Sequence, residues 1–227
     1  MSEHRADDIG RVLGLVVHDL RNPTATLGAN LSFLEELDVS RLDPDAADAV
    51  EDMKVAMGDL RQGLDQVAWI SRWLAGEQAV SPVDGDVAIT ITKPPEQLDD
   101  LDVTVEPPDD KPMRARGGGS TLARLLHVLL LNVRQHAAKG GATVRARREG
   151  DEVVVELQDS GSSIAGELAT EAFDLSGQPK LKSRADGRYG RVAGLLAARA
   201  LADAMDARLE ATNEGGQATF RIRLQPL

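Results

Sequence analysis

The chain has 227 residues, 42% hydrophobic and 28% charged, which is too apolar for disorder and long enough for one large or two modest cores. Its 26 Lys and Arg stand against 37 Asp and Glu, a formal net charge of -11, which makes it a poor general binder of nucleic acid or anionic lipid, because phosphate contacts need basic surface; local basic clusters stay open, and no nucleic-acid partner is expected. There is no cysteine, hence no disulfide, thiolate metal site or cysteine nucleophile.

The longest apolar run, Leu125 to Leu131, falls far short of the ~20 residues a membrane span needs. The mixed-charge start lacks the basic-then-apolar order of a signal peptide, and the expectation is a cytoplasmic protein with no membrane span. In chain order, Val16, Leu20, Leu27, Leu31 and Leu34 form one apolar stripe on a long helix. Asp43 followed by Pro44 is a helix start, with Asp as N-cap and Pro in the first turn. Val50, Met53, Met57, Leu60, Leu64 and Val67 then alternate steps of three and four, the seam of a coiled coil or bundle. A short polar loop, Asp38 to Asp43, joins the two into an antiparallel hairpin. Two narrow stripes bury little alone, so a second copy of the chain is expected to complete a four-helix homodimer.

Near Gly85 the period changes. Asp86 to Thr92 and Leu101 to Glu106 alternate as strands do. Ser120 to Ala138 reads as an apolar helix closed by Gly140 and Gly141, and two strands flank Glu149-Gly150-Asp151, a hairpin signal. A loop-rich section from Ser160 to Tyr189 precedes an Ala-rich helix, Val192 to Met205. Two strands around Gly215-Gly216 finish the chain. The fold class is α+β: a helical hairpin over 1–78, then a mixed sheet covered on one face by helices over 79–227.

Four places carry candidate chemistry. His18, in His-Asp-Leu-Arg-Asn-Pro, lies about 200° around the helix from both Val16 and Leu20 at ~100° per residue and faces water. Asp19 adjoins it, Arg21 and Asn22 follow one turn on, and Pro23 sits inside the helix, where it costs ~3 kcal/mol and suggests a local kink. A neutral imidazole is a competent nucleophile at physiological pH, and a neighbouring carboxylate holds one ring N–H; the product with a phosphoryl donor is a phosphoramidate.

Asn132, directly after three leucines, offers a hard oxygen suited to magnesium, with His136 one turn further. Asp159 ends a buried strand with Gly161 beyond it; its carboxylate can accept from an exocyclic amine such as adenine's, and the glycine lets backbone approach a ring. Asp186 to Gly194 precedes a helix whose free N–H groups favour phosphate, with Lys180, Lys182, Arg184 and Arg188 near by. An ordinary exposed histidine, a surface asparagine, a plain Asp-Ser-Gly turn and a solvated basic loop are the bland alternatives; the order of the four is more telling than any one.

That order resembles the two-part core of bacterial sensor histidine kinases, over nearly the whole chain from about Ile9 to Leu227. His18 to Pro23 looks like the H-box of a dimerisation and phosphoacceptor hairpin, Leu129 to Ala137 the N-box, Asp159 to Ile164 the G1 box, Glu171 to Phe173 the F-box, and Gly187 to Leu196 the G2 box. The resemblance implies a Bergerat-type ATP-binding α/β sandwich. By position it implies His18 as phosphoacceptor, Asp19 as its general base, and Asn22 at a site linked to dephosphorylating the partner regulator. It further implies Asn132 on magnesium, Asp159 on the adenine amine, and Gly161, Gly190 and Gly194 lining the nucleotide pocket, with His136, Lys182 and Arg188 as further nucleotide contacts.

Two departures bear on this: Ser163 and Val192 stand where the family has glycines that let backbone approach nucleotide, and a branched valine narrows φ/ψ. Val133 and Gln135 also replace the small and basic residues usual after the N-box asparagine. The leading expectation is an autokinase that takes the γ-phosphoryl group of ATP, with Mg2+, onto His18 and passes it to an aspartate on a response-regulator receiver domain. The alternatives are a phosphotransfer protein with a nucleotide-free second domain, and a pseudokinase scaffold. Input is expected from a separate sensory partner or the short N-terminus.

Overall fold

The computed structural model describes residues 3–36, 43–93, 98, 101–108, 111–136, 141–161, 173–175 and 192–227. The chain divides into two units, Met1–Glu77 and Gln78–Leu227.

The first unit is a pair of helices, α1 (Glu3–Glu36) and α2 (Pro44–Leu74). Asp43 caps α2, its Oδ1 accepting from the Asp45 backbone N–H at 3.0 Å, with Pro44 in the first turn; this satisfies one donor the helix start would leave orphaned. The expected loop before it lies largely in 37–42, outside the described residues. α1 continues through Pro23 as one helix, and Thr24 Oγ1 donates to the Leu20 carbonyl at 2.7 Å just beyond the proline.

The helices run antiparallel, since Gly10 meets Ser71 and Ala75 while Gly28 meets Arg61. They pack through a heptad seam that differs from the stripe expected from sequence. Gly10, Val17, Thr24 and Leu31 of α1 are buried, as are Val50, Leu64 and Ser71 of α2. Of the expected α1 stripe only Leu31 is buried; Val16, Leu20, Leu27 and Leu34 are exposed, and so are Met53 and Leu60 of α2. The reason is geometric. Small residues carry the inner seam because the backbones approach closely: a Cβ on Gly10 would stand 2.6 Å from the Ser71 carbonyl oxygen. The larger apolar residues, three positions on in each heptad, form a second seam on one side of the hairpin, with no partner inside it.

In the second unit β1 (Gly85–Asp86) pairs antiparallel with β3 (Arg114–Ala115), and a five-stranded sheet has the order β2 (Asp102–Glu106), β4 (Gly141–Glu149), β5 (Glu152–Asp159), β7 (Gln217–Leu224), β6 (Arg208–Glu214). Among the described strand pairs only β2–β4 is parallel. Among the described residues the helices are α3 (Val87–Ile91), α4 (Ser120–His136) and α5 (Val192–Ala204). Gly141 begins β4 rather than closing α4. Gly150, at φ +60°, makes the tight β4–β5 turn with a conformation glycine adopts without steric cost.

The expected strand over Asp86 to Thr92 is corrected: Gly85–Asp86 is extended, and Val87–Ile91 is α3. Asp86 decides this, because its Oδ1 accepts from both the Ala88 and the Met113 backbone N–H, at 3.0 and 3.1 Å. Capped there, the segment buries Val87, Ala88 and Ile91, a helical rather than alternating set.

The sheet has two unlike faces. Toward the helices, paired rows such as Val144, Leu157, Phe220 and Ala211 are buried. Phe173 joins this layer, its ring 6.1 Å from that of Phe220 and inclined by 64°. On the other face, direct cross-strand partners read Glu106, Arg145, Glu156, Arg221 and Glu210, alternating in sign across all five strands. Glu156, on the central strand and 1% exposed, accepts from Arg145 Nε at 2.6 Å, Arg221 Nε at 2.7 Å and Arg147 Nη2 at 2.9 Å. Burial pushes its carboxyl up, but hydrogen bonds from Arg147, Arg145 and Arg221 outweigh it and hold the pKa at about 2.

Candidate functional site

Each unit presents one candidate centre. On α1, the His18 side chain is 79% exposed and Asp19 83%. His18 Nδ1 lies 3.4 Å from Asp19 Oδ1, so the carboxylate faces one ring nitrogen and leaves Nε2 toward solvent. With Nδ1 carrying the proton, Nε2 holds the lone pair, the arrangement a nucleophile needs. Arg21 Nη2 donates to Asp65 Oδ1 of α2 at 3.0 Å, and the exposed Asn22 lies one turn on from His18.

His18 also borders a concavity of about 430 Å3 between the helices, lined by Arg11, Gly14, Arg21, Ala68 and Arg72 among others. It exists because Gly14 and Ala68 leave room next to the tight Gly10–Ser71 contact. The share of α2 in this groove escapes a reading of α1 alone. The heptads carry the signal: His18 follows Val17 by one position and Arg72 follows Ser71 by one, so both flank the buried seam on the side opposite the exposed apolar one.

The second centre lies between the sheet and its helices. Asn132 of α4 is 3% exposed; its Nδ2 donates to the Val128 carbonyl at 2.8 Å, and a Cβ on Gly194 would stand 2.6 Å from both Nδ2 and Oδ1. Gly194 is therefore the place where α5 passes over the carboxamide. Asp159, 2% exposed, ends β5 on the helix-facing side in register with Ala142, and its Oδ1 accepts from the Gly161 N–H at 2.7 Å. Ser160 N–H and Oγ donate to the Gly141 carbonyl at 3.0 and 2.8 Å, tying the strand end to β4.

The structure thus brings Asn132 against Gly194 and Asp159 against Gly161. Gly190, Lys182, Arg188, Lys180, Arg184 and Ser163 lie outside the described residues; Val192 opens α5 and His136 closes α4, and their side chains are likewise outside them. The donor set fits a nucleotide: a buried carboxylate is an acceptor for an exocyclic amine, and a carboxamide oxygen is a hard ligand for a divalent cation.

An exposed histidine paired with a carboxylate stands on the helical hairpin, and the helix-covered sheet carries Asn132 and Asp159 at its helix-facing layer. Residues 117–227 match the family of histidine kinase-, DNA gyrase B- and HSP90-like ATPases. The chain is 27% identical over 169 residues to the sensor protein DivL of Caulobacter vibrioides, a match that takes in 71% of this chain and 22% of that protein.

Among solved structures, full-length ShkA in complex with AMPPNP superposes with a TM-score of 0.65 at 17% identity, over 96% of this chain and 46% of that one. The histidine kinase AdeS of Acinetobacter baumannii gives a TM-score of 0.56 at 17% identity, over 92% and 97%. The histidine kinase ThkA in complex with the response regulator protein TrrA gives 0.55 at 15% identity, over 99% and 64%. At these identities the structural likeness is one of fold. The chain spans less than half of the ShkA chain and about a fifth of DivL. No described helix is long and apolar enough to cross a membrane.

Proposed function

We propose that this chain is an autokinase and phosphotransfer module: His18 takes a phosphoryl group from ATP and passes it to an aspartate on a response-regulator receiver domain. The observation that carries the reading is the exposed His18–Asp19 pair on a hairpin joined in one chain to a domain of the ATPase family. ATP supplies the phosphoryl group and Mg2+ neutralises its charge when they are bound. Asp159, with Gly161, would hold the adenine amine, and Asn132 Oδ1 would face the cation, beside Gly194.

His18 Nε2 forms the new N–P bond as the bond to the ADP oxygen breaks. Asp19 keeps Nδ1 protonated and balances the positive charge on the ring. Transfer onward breaks the N–P bond and forms a P–O bond on the receiver carboxylate; such steps depend mainly on positioning and charge neutralisation. Asn22, one turn from His18, would orient water for dephosphorylating the partner. The exposed Leu20, Leu27, Leu34, Met53 and Leu60 seam suits a second copy, giving a four-helix homodimer. The cytoplasm is the compartment proposed for this chemistry, with a separate sensory partner as input.

One observation favours a second reading, a histidine phosphotransfer protein without ATP: the Asn132 carboxamide is closed in by Val128 and Gly194. Incubation with Mg2+ and labelled ATP decides. Acid-labile, base-stable label on the wild type and none on His18→Ala is the expected result. A nucleotide titration that stays flat to millimolar ATP, with label moving to His18 only from a phosphorylated receiver, overturns the autokinase in favour of the relay.

A further inference from the structure

Five ionisable side chains line the hairpin concavity, His18, Arg11, Arg21, Arg72 and the exposed Glu77, so three guanidinium groups stand against one carboxylate. They are not equivalent. Arg21 is committed to Asp65 at 3.0 Å, and Arg11 has a partner of its own. Arg72 is exposed, comes from the opposite helix, and has no acidic partner among the described residues. In a chain of net charge -11, an uncompensated guanidinium sharing a groove with an exposed imidazole asks for an anion. Two small residues, Gly14 and Ala68, keep the floor between them open.

We infer that Arg72 is a phosphoryl-binding residue, reaching across the groove from α2 to the phosphoryl group carried on His18. The inference rests on the proposed function, because the ligand is the phosphoryl group that reading places on the imidazole. A phosphoryl group on nitrogen presents three acceptor oxygens and close to two negative charges, and the planar guanidinium fork matches two of those oxygens. Placed there, Arg72 favours the dianion and fixes the direction from which an acceptor carboxylate approaches; it takes part in no bond that forms or breaks. Its position in the last turn of α2 offers a purely structural alternative, a cation placed against the negative end of the helix. The experiment has to separate the two.

The full chain as wild type, His18→Ala, Arg72→Ala and Arg72→Lys is treated with potassium phosphoramidate, which needs no nucleotide: its P–N bond breaks, ammonia leaves, and an N–P bond forms on the imidazole. Phosphorus NMR then follows the phosphohistidine through a pH titration, with His18→Ala identifying the His18 resonance. In the wild type, that resonance titrates about 0.5 pH unit or more below its position in Arg72→Ala, because the cation stabilises the more charged form. Arg72→Lys falls between, and transfer from phosphohistidine to a receiver domain slows about tenfold in Arg72→Ala. A helix-dipole role moves the thermal midpoint and leaves the titration where it was. Titrations of wild type and Arg72→Ala that coincide overturn the inference and leave phosphorylation of His18 standing. A spectrum in which His18→Ala loses no resonance removes both.

Discussion

Glu156→Gln probes the charged face of the sheet most sharply. The substitution keeps shape and one acceptor oxygen while removing the charge that Arg145, Arg147 and Arg221 share. Its magnitude follows from the carboxyl's displacement from 4.5 to about 2; at ~1.36 kcal/mol per unit the displacement corresponds to about 3 kcal/mol of folded-state preference for the ionised form. The arginines lose less than everything, since Arg147 also reaches Glu149 and Arg221 also reaches Glu214, so the expected loss is about 2–3 kcal/mol.

The sign with pH is fixed by the direction of the shift. A depressed carboxyl contributes its full stabilisation above its unfolded pKa, and the contribution fades as pH falls from about 4.5 toward about 2. Urea unfolding of the full chain, followed by circular dichroism of the sheet, reads this directly. At neutral pH the variant unfolds at lower urea, and the gap narrows across that acid window because protonated glutamate and glutamine carry the same charge. An unchanged midpoint at neutral pH, or a gap indifferent to pH, refutes the charge ladder as a stabilising device.

Two further outcomes concern the sites. Gly194→Ala drives a methyl to within 2.6 Å of the Asn132 carboxamide, an overpacking of about 1–3 kcal/mol; nucleotide affinity by titration calorimetry falls about tenfold or more, and adding Asn132→Ala to it costs nothing extra. Leu20→Glu with Leu27→Glu removes two leucines from the exposed seam, each worth ~1.5–3 kcal/mol on burial, so the proposed homodimer is expected to fall apart to monomer in sedimentation velocity while the wild type sediments as dimer; equal sedimentation of the two refutes the seam.

The parts of the fold readable from residue order are those set by local chemistry. Asp43-Pro44 announces α2, and Glu149-Gly150-Asp151 announces the β4–β5 turn. His18 faces water as expected, but the stripe it was set against, Val16 and Leu20, is itself exposed, and the buried neighbour is Val17. What stayed hidden depends on partners distant in the chain. Asp86 looks like the start of an alternating strand until Met113 arrives to donate to its carboxylate, and then the helix wins. The apolar stripe of α1 mixes two heptad seams, and only the close approach of α2 at Gly10 shows that glycine, threonine and serine occupy the inner one. The candidate site divides the same way: Asn132 and Asp159 stand out by type and position, whereas the closure of Asn132 by Gly194 and the presence of Arg72 beside His18 require the fold.

The register of the hairpin restricts how such a chain can change length. Each residue inserted into α1 between Gly10 and His18 would swing the imidazole by ~100° about the helix axis, out of the groove that Arg72 borders and toward the apolar side. Seven residues restore its direction to within ~20° but carry it ~10 Å along the axis at ~1.5 Å per residue, so the groove survives only when α2 gains a heptad as well. Relatives that keep the same chemistry should therefore differ in stalk length by whole heptads in both helices.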